Sequence, residues 1–279
     1  MYSFIILHYK NIDDTINCLS NLKNLANKDT NFIVVDNNTL SDSEIKLIKK
    51  FTNDIVKLDS NYGFAKANNK GLAYAKKKYN SKFYIVINND VFISQNNFLD
   101  IINKDYQSYS FDMLGPSISS PSGESINPFP VIKEKKDVEN EIKKCNKLIK
   151  IYSNSLLYIL LNCYLKIKHM FIKNNKPING KTIEKGVALH GCAIIFSDKY
   201  IRKYKYPFYN DTFLFHEEEF LYVRIVKDDL TSIYDPNLKV FHKEGSSIKK
   251  SNNGIRKSKL FREKERLKSL YLLLKEMWG

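Results

Sequence analysis

The chain has 279 residues and carries 45 Lys and Arg against 30 Asp and Glu, a net charge of +15. Hydrophobic residues make up 43% and aromatic residues 13%, which supports a large packed core and excludes a disordered or collagen-like chain. Only five of the basic residues are arginine, the side chain that nucleic-acid readers favour for paired contacts with bases and phosphates. We therefore expect no nucleic-acid partner, and an acidic substrate or an anionic membrane surface explains the charge better.

Short apolar runs alternate with helical patterns over residues 1–90. Strands are predicted from continuous apolar runs at residues 3–8, 32–36, 55–58 and 83–87. Helices are predicted between and after them, at residues 13–25, 41–51 and 64–79. Asp13 or Asp14 is available to cap the first helix, and Ser41 with Glu44 forms a capping box for the second. This order predicts an α/β domain with a mostly parallel, Rossmann-like central sheet and helices on both faces.

The residues that directly follow the predicted strands are polar or aromatic. In open parallel sheets, ligands bind outside the carboxyl ends of the strands. The segments that this rule singles out are 8–9, 36–38, 61–63 and 88–90. We therefore expect the functional site at this edge of the sheet.

The composition changes between residues 133 and 185. Residues 133–150 and 166–176 are basic, and the 15 residues 151–165 between them are uncharged. That apolar stretch is shorter than the roughly 20 residues that a membrane-spanning helix needs. Two interpretations stay open: an amphipathic helical hairpin lying on an anionic membrane, or a helical insertion packed on the core or on a second subunit.

The last third of the chain returns to strand-like and loop patterns over residues 187–245. Residues 255–278 then predict an amphipathic helix whose apolar side carries Leu260, Leu267, Leu270, Leu274 and Met277. The start of the chain shows no basic segment or cleavage site of a signal peptide, and the four cysteines have no disulfide-type or C-x-x-C spacing. We expect a cytoplasmic protein, with any membrane contact peripheral and on the inner face of the cell membrane.

A glycine-containing string runs from residue 61 to residue 71, as Asn61-x-Gly63-Phe64-Ala65-x-Ala67-Asn68-Asn69-x-Gly71. Gly63 permits a tight turn or a close backbone approach before a helix whose free N–H groups can face an anion. An ordinary glycine turn is the alternative. The string is neither G-x-G-x-x-G nor a P-loop, so it gives no support to dinucleotide or Walker-type binding.

Asn88, Asn89 and Asp90 directly follow the fourth predicted strand. A carboxylate at a strand end beside two amides suits a cation with oxygen ligands, such as Mg²⁺ or Mn²⁺ bound to phosphates. The alternative is an Asn/Asp turn without chemical function.

Three consecutive acids, Glu217, Glu218 and Glu219, follow an aromatic segment. They cannot all ionise in one pocket without cost, so at least one is expected to have a raised pKa and to accept protons. The alternative is that they complement a helix N-terminus. His242, after a short strand, is either structural or a ligand; His8, His169, His190 and His216 are weaker candidates, and no histidine pair has zinc-like spacing.

Taken in order, these segments resemble the family 2 glycosyltransferases, inverting enzymes of the GT-A fold, and within them the rhamnosyltransferase-like branch of bacterial capsule and O-antigen synthesis. The segments that carry the resemblance are His8-Tyr9, Val34-Val35-Asp36-Asn37-Asn38, the 61–71 string, Ile87-Asn88-Asn89-Asp90-Val91, Gly191-Cys192-Ala193, residues 213–220 and His242. The resemblance covers residues 3–115 and 187–250 well and residues 133–185 hardly at all.

The resemblance implies a role for each matching residue. The nucleotide sugar would be held by Tyr9, Asp36, Asn38, Asn61, Gly63, Asn68 and Asn89. Asp90 would bind the divalent metal together with His242, Glu218 would be the general base with Glu217 as the alternative, and Gly191 and Cys192 would lie on the acceptor side. The chain departs from the family in having a single acid in the metal motif and Glu in place of Asp at the base position. Mixed oxygen and imidazole ligands favour Mn²⁺ somewhat over Mg²⁺.

The resemblance also implies a division of the chain into four parts. Residues 1–132 would be the nucleotide-sugar half of the GT-A domain, 133–185 a basic helical insertion, 186–254 the acceptor half and 255–279 a terminal helix. The expected function is a metal-dependent inverting transfer of a hexosyl-type sugar from a UDP- or dTDP-linked donor to a lipid-linked saccharide, with a homodimer compatible with the pattern. Two rivals stay open. A sugar nucleotidyltransferase usually has a glycine-rich loop after its first strand, which residues 7–11 lack; the other rival is a non-catalytic saccharide- or membrane-binding protein.

Overall fold

The computed structural model describes residues 1–121, 126–132, 134–169, 180–243 and 252–279, without the side chains of residues 163–169, 252 and 253. Part of the basic run at 166–176 and the residues that follow Lys243 in the His242 motif, 244–247, lie outside the described residues. The same holds for the Cys163 side chain.

The described residues form one nine-stranded sheet at the centre of the fold. Its strands are β1 Tyr2–His8, β2 Thr30–Asp36, β3 Ile55–Lys57, β4 Phe83–Asn88, β5 Val91–Phe92, β6 Met113–Ser119, β7 Glu184–Lys185, β8 Ala193–Ser197 and β9 Ser232–His242. The order is β3-β2-β1-β4-β8-β6-β9-β5, with β7 also paired to β9. In this order the first four strands, β3, β2, β1 and β4, are mutually parallel. Strand β8 is antiparallel to both of its neighbours, and β6 and β9 are parallel.

Helices cover both faces of this sheet. They are α1 Ile12–Leu25, α2 Asp42–Ile48, α3 Ala65–Tyr79, α4 Phe98–Tyr109, α5 Lys135–Ser153, α6 Ser155–His169, α7 Asp198–Lys203, α8 Glu217–Lys227 and α9 Asn252–Trp278. Side chains of α1, α2 and α4 pack on one face, and those of α3, α7 and α8 on the other. The predicted α/β layering with helices on both faces is therefore confirmed.

The capping box predicted at Ser41 is present, with both of its reciprocal bonds to Glu44. The predicted cap of α1 is wrong, because the helix begins earlier: the Asn11 side chain accepts the Asp14 N–H and caps the helix. Residues 187–245 contain the helices α7 and α8 as well as strands. These helices are short, of 6 and 11 residues, so their apolar period is brief and is easily missed in the sequence.

A third packed layer joins α5, α8 and α9. Its buried side chains are Val138, Ile142, Cys145, Phe220, Val223, Leu270 and Leu273. The first helix of the 133–185 segment thus packs on α8 and on the C-terminal helix. The next helix, α6, exposes 64% of Leu156, 56% of Ile159 and 58% of Leu160. Among the described residues, no helix combines the length and the apolar character needed to cross a membrane.

Candidate active site

Asp90 and His242 meet at the edge of the sheet where β4 and β9 end. Val91 pairs with His242 in the antiparallel ladder of β5 and β9, and the Lys243 N–H donates to the Asp90 carbonyl oxygen at 3.0 Å. This pairing brings the Asp90 Oδ1 to 3.1 Å from the His242 Nε2. Both side chains are nearly buried, with 11% and 12% of their surface exposed.

This pair has the chemistry and the spacing of two ligands of one divalent ion. Adjacent ligands of an octahedral ion with bonds of about 2.1 Å lie about 3.0 Å apart. The 3.1 Å between Asp90 Oδ1 and His242 Nε2 suits such neighbouring positions. Among the described residues there is no group of three or more His, Cys, Asp or Glu side chains that could hold a metal. The pair therefore fits an ion that takes the rest of its ligands from phosphate oxygens and water.

A network on α1 holds the turn that carries Asp90. The Asn89 side-chain N–H group donates to Thr15 Oγ1 at 2.9 Å and to the Asn11 carbonyl at 3.2 Å, so this predicted nucleotide contact is engaged with the protein. Lys243 Nζ lies 2.8 Å from Oδ1 of the buried Asp14, which also raises the pKa of the lysine. Both ends of the Asp90–His242 pair are thus tied to one helix.

His190 occupies the space between this pair and the glutamates of α8. Its ring centroid lies 6.2 Å from that of His242, and its Nδ1 accepts the Cys192 N–H at 3.1 Å. Its backbone N–H donates to Oδ1 of the buried Asn127 at 2.7 Å. Burial, and then His242, lowers the pKa of His190 to about 4, so the ring is neutral at pH 7. Because Nδ1 accepts a hydrogen bond, the proton of the neutral ring is on Nε2.

The glutamates of the 217–218 pair lie at the start of α8, beside the loop that contains Gly191. The Gly191 N–H donates to Glu218 Oε1 at 2.9 Å. A Cβ atom at Gly191 would lie 3.1 Å from Glu218 Oε1 and 3.4 Å from the Phe64 ring, so the position has little room for a side chain. Burial, followed by the charge of Glu218, raises the pKa of Glu217 to about 8. Burial is also the main cause that raises the pKa of Glu218.

An unusual backbone turn aims the start of α8. Phe215 and His216 have φ angles of 75° and 68°, in the left-handed region that residues with a Cβ rarely adopt. Such conformations cost about 1–3 kcal/mol each and persist where the surroundings hold them. The turn is held by the Ser269 hydroxyl, which donates to the Leu214 carbonyl at 2.8 Å. The orientation of the glutamates therefore depends on α9.

A cleft of about 470 Å³ opens over these groups. Its walls are formed by Phe129, Ile132, Glu141, His190, Phe215, His216, Glu217, Glu218, Glu219 and Arg266. His190 lines this cleft, and its ring also faces that of His242. Asp90 and His242 are not among the residues that line the cleft, so His190 is the link between the metal-type pair and the glutamates.

The predicted nucleotide contacts at the ends of β1 and β2 lie along the same edge of the sheet, on the side of β4 away from β8. Tyr9 exposes 37% of its surface, and Asn38 is exposed with a φ angle of 62°. Oδ1 of the buried Asp36 accepts the N–H groups of Thr39 at 2.8 Å and of Leu40 at 3.2 Å. These bonds fix the Asp36 carboxylate at the strand end.

The 61–71 string forms a loop over residues 61–64 and the first turns of α3, and the loop contacts the segment before α8. Gly63 has a φ angle of 74°, and a Cβ atom there would lie 2.0 Å from the Phe213 carbonyl oxygen. The exposed Asn61 accepts the Gly63 N–H at 2.9 Å through its side-chain oxygen. Asn68 is fully buried and donates to the Phe64 carbonyl within its own helix. The close approach at Gly63 is therefore to the segment that leads into α8.

The sequence alone does not identify two residues of this site, Asn37 and His190. Buried Asn37 donates to the Gly63 carbonyl at 3.0 Å and accepts the Tyr62 N–H at 2.8 Å, so it fixes the loop. His190 was ranked low because a single histidine has no local pattern. Its position directly before Gly191 and Cys192, in a segment already singled out, was the available signal.

Comparisons with known proteins bear on the family and the fold of this chain. The sequence model of the family described as Glycosyl transferase family 2 matches residues 3–164. A similar curated protein is the low-salt glycan biosynthesis hexosyltransferase Agl10 of Haloferax volcanii, 30% identical over 130 residues that make up 46% of this chain and 40% of the relative. The chain thus matches only two fifths of that relative's length.

Two solved structures share the fold at low sequence identity. The mannosyltransferase PcManGT from Pyrobaculum calidifontis, in complex with GDP-Man and Mn²⁺, has a TM-score of 0.55 and 11% identity over 99% of this chain and 72% of the other. S. aureus TarS 1–349, in complex with UDP-GlcNAc, has a TM-score of 0.51 and 13% identity over 99% and 71% of the two chains.

Proposed function

Because the chain belongs to glycosyl transferase family 2 and has its GT-A fold, we propose that it is an inverting glycosyltransferase. It would move a hexosyl-type sugar from a nucleotide diphosphate donor to a saccharide acceptor. The observation that carries the proposal is the placement of His190, which faces His242 of the Asp90–His242 pair and lines the cleft of Glu217 and Glu218. One pair suits the leaving diphosphate, and the other suits the attacking hydroxyl.

On the donor side, the proposal gives the nucleotide to the strand ends. Tyr9, Asp36, Asn38 and Asn61 follow β1, β2 and β3, where parallel sheets bind their ligands. Gly63 gives the loop its shape there. UDP- or dTDP-linked sugars are the expected donors, while the two structural neighbours are complexes with GDP-Man and UDP-GlcNAc.

Asp90 and His242 would hold a divalent ion, Mn²⁺ or Mg²⁺. When bound, the ion neutralises the negative charge that develops on the leaving diphosphate. A carboxylate with an imidazole favours Mn²⁺, and the mannosyltransferase neighbour is a complex with Mn²⁺.

We assign the general base to Glu218. Burial, followed by the charge of Glu218, raises the pKa of Glu217, which favours Glu217 as the protonated member of the pair. The Gly191 N–H fixes one oxygen of Glu218, and burial strengthens this carboxylate as a base. Glu218 accepts the proton of the acceptor hydroxyl as its oxygen bonds to the anomeric carbon. The bond from that carbon to the diphosphate breaks on the opposite face, which inverts the configuration. Neutral His190 has an N–H at Nε2 that can donate to either reactant.

On the acceptor side, we propose a lipid-linked saccharide in the synthesis of a surface polysaccharide. Gly191 lies beside Glu218 through the hydrogen bond of its N–H, whereas Cys192 is buried in the core next to it. The exposed apolar side chains of α6 and the many lysines support a peripheral contact with an anionic membrane at the cytoplasmic face. A bacterial capsule is one such setting; the Haloferax volcanii relative is named for glycan biosynthesis in an archaeon.

Donor hydrolysis by the purified protein tests this function without knowledge of the acceptor. A thermal-shift screen of UDP-, dTDP- and GDP-sugars with Mn²⁺ selects the donor, and the release of nucleoside diphosphate is then measured. We expect hydrolysis by the wild-type protein and by the exposed control Glu134→Gln, and loss of metal-dependent donor binding in Asp90→Ala. Unchanged calorimetric affinity of Asp90→Ala for the nucleoside diphosphate with Mn²⁺ would refute the metal assignment.

The same assay separates the two rivals. A sugar nucleotidyltransferase would form a nucleotide sugar from a nucleoside triphosphate and a sugar phosphate, and would release pyrophosphate. A non-catalytic binding protein would bind the donor without turnover. Either result in place of hydrolysis would overturn the proposed function.

A further inference from the structure

A second cavity adjoins the cleft that contains Glu218. It has a volume of about 420 Å³ and is lined by Tyr152, Phe215, Lys259, Arg262, Glu263 and Arg266. Phe215 and Arg266 line both cavities, so the two share a wall. We call this second cavity the α9 pocket.

The α9 pocket is built around three cations on one face of α9. Lys259, Arg262 and Arg266 are spaced i, i+3 and i+7, the spacing of one helical stripe. The chain has only five arginines, and two of them line this pocket. The scarcity of arginine elsewhere makes their placement here notable, because arginine is the side chain that best matches the geometry of phosphate oxygens.

Two of these cations lack a carboxylate partner. Arg266 pairs with Glu141 and lies 3.8 Å from Glu263. Within the described part of the chain, Lys259 and Arg262 form no ion pair. Arg262 lies 5.6 Å from the centre of the Phe215 ring, and Lys259 lies 5.5 Å from that of Tyr158. The rings position the cations and leave their charge unneutralised.

The neighbouring cleft has the opposite character. It is lined by Glu217, Glu218 and Glu219. Those of the three that are ionised repel an anion, and the group suits an uncharged sugar with its hydroxyl groups. A ligand that spans both cavities would therefore place its neutral end at the glutamates and its charged end at Lys259 and Arg262. The shared wall at Phe215 puts the two ends next to each other.

We propose that the α9 pocket binds the phosphate or diphosphate group of the acceptor, while the sugar to be extended lies beside Glu218. This inference rests on the proposed function, because only a glycosyltransferase has an acceptor. The phosphoryl group has two sources, a lipid-linked sugar or a soluble sugar phosphate. Tyr152, which lines the pocket, packs edge-to-face at 5.8 Å on Tyr158 of α6, the helix that exposes Leu156 and Ile159.

Calorimetry with metal-free protein in EDTA tests the α9 pocket apart from the Asp90–His242 pair. The probes are inorganic pyrophosphate, geranyl diphosphate and uncharged geraniol. We expect both diphosphates to bind to the wild-type protein, and the double variant Lys259→Gln/Arg262→Gln to bind them about tenfold or more weakly, because two charge-assisted contacts are lost. The matched variant Lys257→Gln/Lys264→Gln removes two exposed charges from the opposite side of α9 and is expected to bind like the wild type.

A further variant tests for a folding defect, and the comparison of the two diphosphates identifies the source of the phosphoryl group. The variant Lys259→Arg/Arg262→Lys retains both charges and is expected to keep most of the affinity, which excludes a folding defect as the cause. Tighter binding of geranyl diphosphate than of pyrophosphate identifies a lipid-linked source; equal binding identifies a soluble phosphate.

Equal affinity of the wild type and the glutamine double variant, or binding of geraniol as tight as that of geranyl diphosphate, would overturn the proposal. Failure of the wild-type protein to hydrolyse any donor would instead remove the proposed function, while the binding comparison would still decide whether the α9 pocket is an anion site.

Discussion

The donor and acceptor sides of this site are built in different ways. On the donor side, the end of β2 is fixed by neighbours in the first ninety residues, such as Asp36 by the N–H of Thr39 and Asn37 by the loop at Gly63. The end of β4 at Asp90 is held by His242 and Lys243. On the acceptor side, Glu218 is positioned by Gly191, and the turn before it by Ser269 of α9. The nucleotide contacts of the donor side depend on local structure, whereas the Asp90–His242 pair and the acceptor side depend on the packing of distant segments.

This difference indicates where the chain is free to vary. The acceptor side gains its walls from α5, α8 and α9, which pack together through a core of their own. Changes in that layer are therefore expected to alter acceptor binding while leaving donor binding unchanged.

The largest effect is expected from Glu218→Gln, which removes the base and keeps the side-chain size. We expect transfer to fall by about 10²–10⁴-fold, since that is the range of general base catalysis. In the wild type, the rate should rise with pH as Glu218 loses its proton, at a pKa above the usual range of a glutamate. Steady-state kinetics across pH 5–9 measures both.

Glu217→Gln is the comparison for this prediction. It removes the neighbouring carboxyl but leaves the hydrogen bond from the Gly191 N–H to Glu218, so we expect it to keep much of the activity. A loss in Glu217→Gln as large as that in Glu218→Gln would show that the two carboxyls act as one base.

Gly63→Ala tests the contact between the loop at Gly63 on the donor side and Phe213, which leads into α8 on the acceptor side. The added Cβ would lie 2.0 Å from the Phe213 carbonyl oxygen, and the φ angle of 74° disfavours any residue but glycine. We expect the free energy of unfolding to fall by about 2–4 kcal/mol, from strain and displacement together. Urea denaturation measures the change.

Gly186→Ala is a matched control for that variant. Gly186 has a similar φ angle of 66°, but nothing lies within 4 Å of a Cβ atom placed there. It should therefore show the backbone strain alone, about 1 kcal/mol. Equal losses in the two variants would mean that the contact with Phe213 does not constrain the fold.

A pH-dependent contact between Asp105 of α4 and Asp235 of β9 also joins an early segment of the chain to a late one. Burial, and then the charge of Asp235, raises the pKa of Asp105 to about 7, against about 3.9 in the unfolded chain. Between these pH values the folded protein holds a proton that the unfolded chain releases. This contribution to the free energy of unfolding is therefore largest below about pH 4 and is lost as the pH rises to about 7, by at most about 1.4 kcal/mol per pH unit.

Asp105→Asn should remove that dependence. We expect the difference in stability between the variant and the wild type to change between pH 5 and pH 8 in favour of the variant, as measured by urea unfolding. Asp100→Asn, an exposed position on the same helix, should leave the pH dependence unchanged. A parallel pH profile for Asp105→Asn and the wild type would contradict the shifted pKa.

The sequence was most informative where structure is local. β1–β4 and α1–α3 follow from continuous apolar runs and helical spacing, and the strand-end rule led to Asp36 and Asp90. It was least informative where partners are distant. The place of His190 depends on His242 and Asn127, and the left-handed backbone at Phe215 and His216 depends on the contacts of their neighbours. None of these contacts leaves a local pattern in the sequence.

The smallest effect on the folded protein is expected from the triple variant Leu156→Ser/Ile159→Ser/Leu160→Ser on α6. These side chains are more than half exposed, so their loss should change the free energy of unfolding by about 0.5 kcal/mol or less per site. Sedimentation with anionic vesicles should nevertheless fall several-fold, because each side chain would otherwise bury apolar surface in the lipid. The double variant Leu47→Ser/Val226→Ser removes exposed apolar side chains elsewhere and should sediment like the wild type. If the α6 variant also sediments like the wild type, the membrane contact is wrong, and the difference between the two sides reduces to their packing.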